Sequence, residues 1–305
     1  MSVAHRVPSR PRSRVPFALV GAGTSCHHRA MSGTLWIVGT PIGNLGDLAP
    51  RAGEVLGSVD LVAAEDTRRT GRLLQGIGVK RPMVSLFEGN ERERTEELLG
   101  RLREGENVAV VTDGGMPSVS DPGFRLVRAC ADEGIDVRVV PGPSAAIAAL
   151  VVSGLPTDRF AFEGFLPRKA GDRMTRLDEL RVDPRTLVVF ESPLRVKTLL
   201  RDVLATFGDR RIAIARELTK LHEEVRRGRV SEVLSELGDA ELKGEVVLVI
   251  AGAPEAEPID IDACVAEARE LIEGGMRKRD AARAVAERHR VSANEVYRAL
   301  LGTPA

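Results

Sequence analysis

A chain of 305 residues is long enough for two domains of about 100–200 residues with additions, and its 44 basic and 44 acidic residues cancel, so net charge argues neither for nor against a nucleic-acid partner. Three cysteines, Cys26, Cys130 and Cys264, are too few and too scattered for a disulfide framework, which makes a reducing cytoplasm the default location. No apolar run approaches the about 18 residues of a membrane helix, so no membrane partner is expected.

Residues 1–32 carry Arg6, Arg10, Arg12, Arg14 and Arg29, several prolines and no acidic residue. Such a stretch is expected to be disordered, or to precede a true start at Met31; it also has the composition of a transit peptide. Phe17 to Cys26 imitates a strand entering a dinucleotide fingerprint, but Cys26 holds the third glycine's place and no convincing helix follows. Cys26-His27-His28 has no partner ligands at suitable spacing, so no metal is expected.

From Thr34 the pattern is regular, and residues 33–153 read as one α/β domain. Leu35-Trp36-Ile37-Val38 is a strand, followed by the loop Gly39 to Gly46 and by Asp47 as a cap for a helix through Leu56. Leu61-Val62-Ala63-Ala64 is a strand ending in Glu65-Asp66-Thr67-Arg68, followed by a helix through Leu74 that closes at Gly76 and Gly78. Met83 to Leu86 is a third strand, leading through Phe87-Glu88-Gly89-Asn90 to a charged helix with Leu98, Leu99 and Leu102 on one face. Asn107 to Val111 is the fourth, and Val137 to Val140 the fifth, running into Pro141-Gly142-Pro143-Ser144, where Ser144 can cap a helix over Ala145 to Val152. Strands alternating with helices predict a parallel, doubly wound sheet.

The stretch Val111 to Gly123 is the centre of this domain. It joins a buried strand to a helix in which Asp121 reads as the cap and Pro122 as the first residue, the place where open α/β sheets hold ligands. Loops that cradle phosphates add lysine or arginine to their glycines. Between Thr112 and Gly123 there is none, and Asp113 and Asp121 bring negative charge. A polyanionic nucleotide is disfavoured, whereas the sulfonium of S-adenosylmethionine suits the same electrostatics.

Ser153 to Thr157 breaks the rhythm and marks a boundary. Residues 157–252 read as a second α/β domain with strands at Phe160–Phe162, Thr186–Phe190, Arg211–Ala215 and Glu245–Ile250, and hairpin-like spacing around Glu223 to Val230 predicts a mixed sheet. Ala253 to Pro258 is a linker. Residues 260–305 read as three short helices, with Ser292-Ala293-Asn294-Glu295 as a capping box on the last, in a helix-turn-helix-like arrangement.

Together the loops resemble a known family. Gly39-Thr40-Pro41-Ile42-Gly43-Asn44-Leu45-Gly46-Asp47-Leu48, Ala64-Glu65-Asp66-Thr67-Arg68, Ser118-Val119-Ser120-Asp121-Pro122-Gly123, Pro141-Gly142-Pro143-Ser144-Ala145, Glu163-Gly164-Phe165-Leu166-Pro167, Phe190-Glu191-Ser192-Pro193 and Arg216-Glu217-Leu218-Thr219-Lys220 are similar, in order, to the motif series of type I 16S ribosomal RNA cytidine 2′-O-methyltransferases, within the tetrapyrrole methylase superfamily. The resemblance covers about residues 34–251. It implies two α/β domains with S-adenosylmethionine in the cleft between them, a homodimer, and a substrate in 16S rRNA or the assembled small ribosomal subunit. Carried onto this chain, the cofactor positions are Asp113, Gly114, Gly115, Met116, Val119, Ser144, Ala145 and Leu218. The chain departs from the family where Asp113-Gly114-Gly115-Met116-Pro117 replaces Asp-Ala-Gly-Thr-Pro, and where Leu86-Phe87-Glu88-Gly89-Asn90 lacks the two histidines of a Tyr-His-Glu-His-Asn-like run. No histidine there can act as a base.

A ribose hydroxyl must be held in line with the donor and must lose its proton. Glu65, Asp66 and Glu88, all at carboxyl ends of first-domain strands, are the candidate catalytic carboxylates. Arg168, Lys169, Arg173, Arg176, Arg195, Lys197, Arg226, Arg227 and Arg229 in the second domain, and Arg277, Lys278, Arg279, Arg283, Arg288, Arg290 and Arg298 in the tail, are candidates for phosphate contacts. At 3% aromatic residues, extensive base stacking is not expected. The alternative within the superfamily is C-methylation of a tetrapyrrole, disfavoured because Gly114-Gly115-Met116-Pro117 is not its usual Gly-Gly-Asp-Pro. A nucleic-acid-binding regulator and a dinucleotide oxidoreductase are the readings from other classes.

Overall fold

The computed structural model describes residues 32–238, 242–254, 261–289 and 291–301. The expectations for the leader up to Met31, including Phe17 to Cys26 and Cys26-His27-His28, for the linker beyond Pro254 and for Arg290 lie outside them.

The first sheet holds β1 (Thr34–Val38), β2 (Leu61–Ala64), β3 (Met83–Ser85), β4 (Val108–Val111) and β5 (Asp136–Val140), all parallel, in the order β3-β2-β4-β1-β5. Its central strands are buried on both faces, as their unbroken apolar runs require. Helices α1 (Pro50–Ser58) and α2 (Thr67–Gly76) cover one face through Ala52, Val55, Leu56 and Leu74. On the other, α3 (Glu91–Arg103) and α4 (Phe124–Asp132) contribute Leu98, Leu99, Leu102, Leu126 and Cys130. Neighbouring strands β1 and β4 therefore send their connections to opposite faces, and a crevice opens between the two loops.

The second sheet has the order β6-β7-β10-β8-β9: β6 (Phe160–Phe165) runs parallel to β7 (Thr186–Glu191), while β8 (Arg211–Arg216), β9 (Glu224–Arg229) and β10 (Val246–Ile250) pair antiparallel. It is mixed, as the hairpin spacing predicts. One face packs on α6 (Ala170–Leu180), α7 (Val196–Phe207) and α8 (Val230–Leu237). The opposite face is covered by α5 (Ala145–Ser153), whose Ala146, Ala149 and Leu150 meet Val188, Ala213 and Val247. Thus α5, grouped with the first sheet by its position in sequence, packs on the second. Helices α9 (Ile261–Glu273), α10 (Lys278–His289) and α11 (Ala293–Leu300) enclose a core of their own. Among the described residues, no helix is long and apolar enough to cross a membrane.

Several local expectations are corrected. Asp47 does not cap α1; it ends a 3₁₀ turn capped by Asn44, and α1 starts at Pro50 after Ala49. Ser144 and Ser292 occupy cap positions without making the side-chain bond, so the capping box at α11 is not formed. Part of the expected basic grip is engaged by neighbouring groups of the protein. Arg176 pairs with Glu163 and Glu179, Arg195 with Glu191, Arg226 with Glu224 and Arg288 with Glu267, while Arg227 and Arg229 donate to the carbonyls of Val152 and Asp209.

Arg173 is the most deeply committed of these, 6% exposed, bonded to Asp202 of α7 at 2.7 Å and to the carbonyls of Pro167 and Arg168. Replacing Asp202 by alanine leaves that guanidinium buried and unpaired. The expected loss is about 3 kcal/mol of unfolding free energy, read as a lower urea midpoint at unchanged slope.

Candidate functional site

The crevice at the tips of β1 and β4 faces the second sheet and forms a cleft of about 460 Å³. Its first-domain wall is fixed by backbone bonds. Thr40 and Gly115 exchange two of them at 2.9 and 3.1 Å, and the Thr40 hydroxyl donates to the Thr112 carbonyl. The N–H of Gly39 donates to Val140, drawing the chain ends of β1 and β5 together. Leu218 enters from the second domain between Glu217 and Thr219, both left-handed at φ 51° and 65°. That strained turn is held by Glu217, which accepts from the Lys220 ammonium and the Glu245 N–H, and by Glu223, which accepts from the Thr219 N–H.

All eight positions carried over from the family, Asp113, Gly114, Gly115, Met116, Val119, Ser144, Ala145 and Leu218, line this one cleft. A second pocket of about 390 Å³, edged by Thr40, Arg69 and Lys220, shares Ile42 and Asp113 with the cleft. The three candidate carboxylates separate. Glu65 lines the cleft, and its carboxylate accepts the N–H of Asp113 at 3.1 Å. Burial raises its pKa, against the pull of that N–H. Asp66 caps α2 and pairs with Arg68, which holds its carboxyl down to about 2. Glu88 is exposed on the loop after β3 and is not among the lining residues.

Sequence reasoning misses one carboxylate. Asp121, expected as the cap of α4, is displaced from that role because Gly123, at φ 125°, takes the cap position and the helix begins at Phe124. The intervening loop turns through Ser118 and Ser120, both left-handed at φ 71° and 62°, and Asp121 lines the cleft instead. Burial first, and then the negative charge of Glu65, push its pKa up to about 7. Three of the other acids are matched, Asp113 with Arg69, Glu191 with Arg195 and Glu245 with Lys220, while Glu65 accepts the Asp113 N–H and, among the described residues, forms no ion pair. Among the described residues Asp121 has no ion-pair partner, and no group of three or more His, Cys, Asp or Glu side chains is placed to hold a metal ion.

The cleft therefore combines glycine backbone, small side chains at Ser144 and Ala145, apolar walls at Ile42, Met116 and Leu218, and an excess of carboxylate. Its size suits a small organic ligand, and its charge suits a cationic one. The arrangement is that of a two-domain α/β protein with a ligand-sized cleft between its two sheets. Residues 34–234 match the tetrapyrrole (corrin/porphyrin) methylases, and the chain belongs to that family. Among solved structures, it is similar to the uroporphyrin-III C-methyltransferase of Thermus thermophilus, with a TM-score of 0.51 and 27% identity over 72% of this chain and 94% of that one. Several relatives carry the name ribosomal RNA small subunit methyltransferase I. The protein from Escherichia coli O157:H7 is 44% identical over 87% of this chain and 94% of its own length. The one from Thermotoga maritima is 50% identical over 72% of this chain and 99% of its own.

Proposed function

We propose that this chain transfers a methyl group from S-adenosylmethionine to the ribose 2′-hydroxyl of a cytidine in 16S rRNA, presented in the small ribosomal subunit. The observation that carries the reading is the acidic cleft at the β1–β4 crevice, holding every cofactor position the family resemblance names. The small-subunit relatives share 44–50% of their residues with it, which favours RNA over a tetrapyrrole as substrate. The match is to whole relatives in both cases.

The donor set fits the cofactor. Gly114 and Gly115 admit close approach of a ligand to the backbone, Met116, Val119 and Leu218 offer apolar contact, and Asp113, Glu65 and Asp121 favour positive charge. Bound there, S-adenosylmethionine supplies a methyl group made electrophilic by its sulfonium. Asp121 accepts the proton of the ribose hydroxyl, since its carboxylate has no competing cation and titrates near neutrality, where a general base works best. Glu65 holds the Asp113 loop in place through the backbone bond and keeps Asp121 basic through its charge. Asp66 and Glu88 are left with supporting parts, the first as the α2 cap. A homodimer and a cytoplasmic setting complete the proposal.

The test incubates the protein and labelled methyl donor with small subunits lacking the modification, then digests the RNA. The expected product is one labelled nucleotide whose 3′ bond resists alkali, as ribose 2′-O-methylation requires. Label released on a free base would overturn the reaction, and no label with small subunits but transfer to a tetrapyrrole would overturn the substrate.

A further inference from the structure

The motif Glu163-Gly164-Phe165 has no part in the chemistry above, yet the fold distorts a strand to place it. Pairing of β6 with β7 runs Phe160 to Thr186, Ala161 to Leu187 and Phe162 to Val188, then resumes at Gly164 with Val189 and Phe165 with Phe190. Glu163 is an extra residue, a bulge, and Gly164 follows it at φ 61°. Strand residues alternate between faces, so an uninterrupted β6 would put Phe165 on the side of Ala161, against the helices α6 and α7. The bulge reverses that parity. Phe165 joins Phe162 and Phe190 on the cleft side, and the three rings form an edge-to-face series with centroids 4.9 and 5.7 Å apart.

The last ring of the series is the unusual one. Phe165 lines the cleft yet is 60% exposed, in a chain that has few aromatic residues. The bulge abuts the loop that carries Asp121: a side-chain carbon at Gly164 would come 2.9 Å from the Ser120 hydroxyl. The ring and the proposed proton acceptor thus stand at the same mouth. Three and four residues further on, Arg168 and Lys169 are exposed and, among the described residues, have no ion-pair partner.

We propose that Phe165 is the stacking platform for the base of the target nucleotide, with Phe190 bracing the ring from its edge and Arg168 and Lys169 meeting the adjoining phosphates. This rests on the RNA reading given above. A π-face accepts any base, and the platform orients the nucleotide so that its ribose lies over the cleft; unstacking the target from its neighbours is the step the ring compensates. The cofactor's own adenine is the competing occupant, and the two are separable by experiment.

Full-length wild type, Phe165→Ala, Phe165→Leu and Phe165→Trp would be compared for methyl transfer over a range of small-subunit concentrations, and for S-adenosylmethionine affinity by calorimetry. Because the side chain is mostly solvent-facing, all four should melt alike. The expected result is a drop in kcat/KM for the RNA of about 5- to 100-fold in the alanine and leucine variants, the range that base–aromatic stacking spans, near-full activity in the tryptophan variant, and cofactor affinity within about twofold throughout. Unchanged kcat/KM in Phe165→Ala, or wild-type behaviour of Phe165→Leu, would overturn the stacking role. A parallel fall in cofactor affinity would move the adenine onto the ring and overturn it equally. Absence of transfer by the wild type would instead count against the RNA reading itself.

Discussion

Replacing Asp121 by asparagine is expected to make the protein more stable above neutral pH while slowing methyl transfer by about 10²- to 10⁴-fold. The carboxyl titrates at about 7 in the folded chain and at about 3.9 in an unfolded one. Below about pH 4 both states hold the proton, and the stability that the raised pKa represents is fully present. As pH rises from about 4 to 7 the unfolded state releases a proton that the folded state retains, so the wild type loses stability through this window and levels off beyond it. Asparagine has no such dependence. After allowing for screening by the solvent that reaches the cleft, the variant should gain on the order of 2 kcal/mol over the wild type at pH 8 relative to pH 4. Denaturant titrations at the two pH values measure the first effect, and kcat/KM against pH the second; the wild-type rate should rise through about pH 7 to a plateau. A variant no more stable at pH 8, or one that keeps its rate, would remove Asp121 from the mechanism.

Adding one methyl group at Gly142 should disable the cleft without touching any ligand. Built there, a side-chain carbon stands 2.8 Å from both the Cα and the carbonyl carbon of Gly39; built at Gly39, it stands 2.7 Å from Gly142 backbone and from the Met116 sulfur. The chain ends of β1 and β5 cross in direct contact, and both carry cofactor-side segments: Thr40 clamps Gly115 on one, Ser144 and Ala145 follow on the other. Forcing them apart is overpacking at a site with no slack. Gly142→Ala is expected to cost about 1–3 kcal/mol and at least tenfold in S-adenosylmethionine affinity. Gly171→Ala in α6, where nothing lies within 4 Å, is the matched control, expected to be neutral or slightly stabilising. Calorimetric titration alongside thermal melts separates the two; equal behaviour of both variants would show that the crossing is not tight.

Much of the scaffold was legible because burial on both faces leaves an unmistakable mark. Leu61-Val62-Ala63-Ala64 and Val108-Ala109-Val110-Val111 have no polar position and can only be central strands. The cofactor wall was legible through ordered motifs, not through any single loop. What was hidden depended on backbone turns that sequence does not advertise. Asp121-Pro122-Gly123 has the form of a helix start, and nothing marks Ser118 and Ser120 as left-handed, a conformation serine seldom adopts. Helix α5 is apolar on all sides, so its pattern could not say which sheet it would cover. The strand expected to end at Phe162 runs on to Phe165 because the bulge at Glu163 takes up the residue that interrupts its apolar pattern. The arginines misled for a different reason: their number predicts a basic surface, but whether each faces a phosphate or a neighbouring carboxylate is decided by tertiary contacts.

The three closing helices keep their apolar side chains to themselves, Cys264, Ala268, Ala282, Val285 and Val296 packing on one another. Among the described residues that core is separate from those of the two sheets, and the Thermotoga relative, matched over 99% of its own length, covers 72% of this chain. A core that closes on itself need not come apart together with the two sheets, so mild denaturant can open the closing helices while the cleft stays formed.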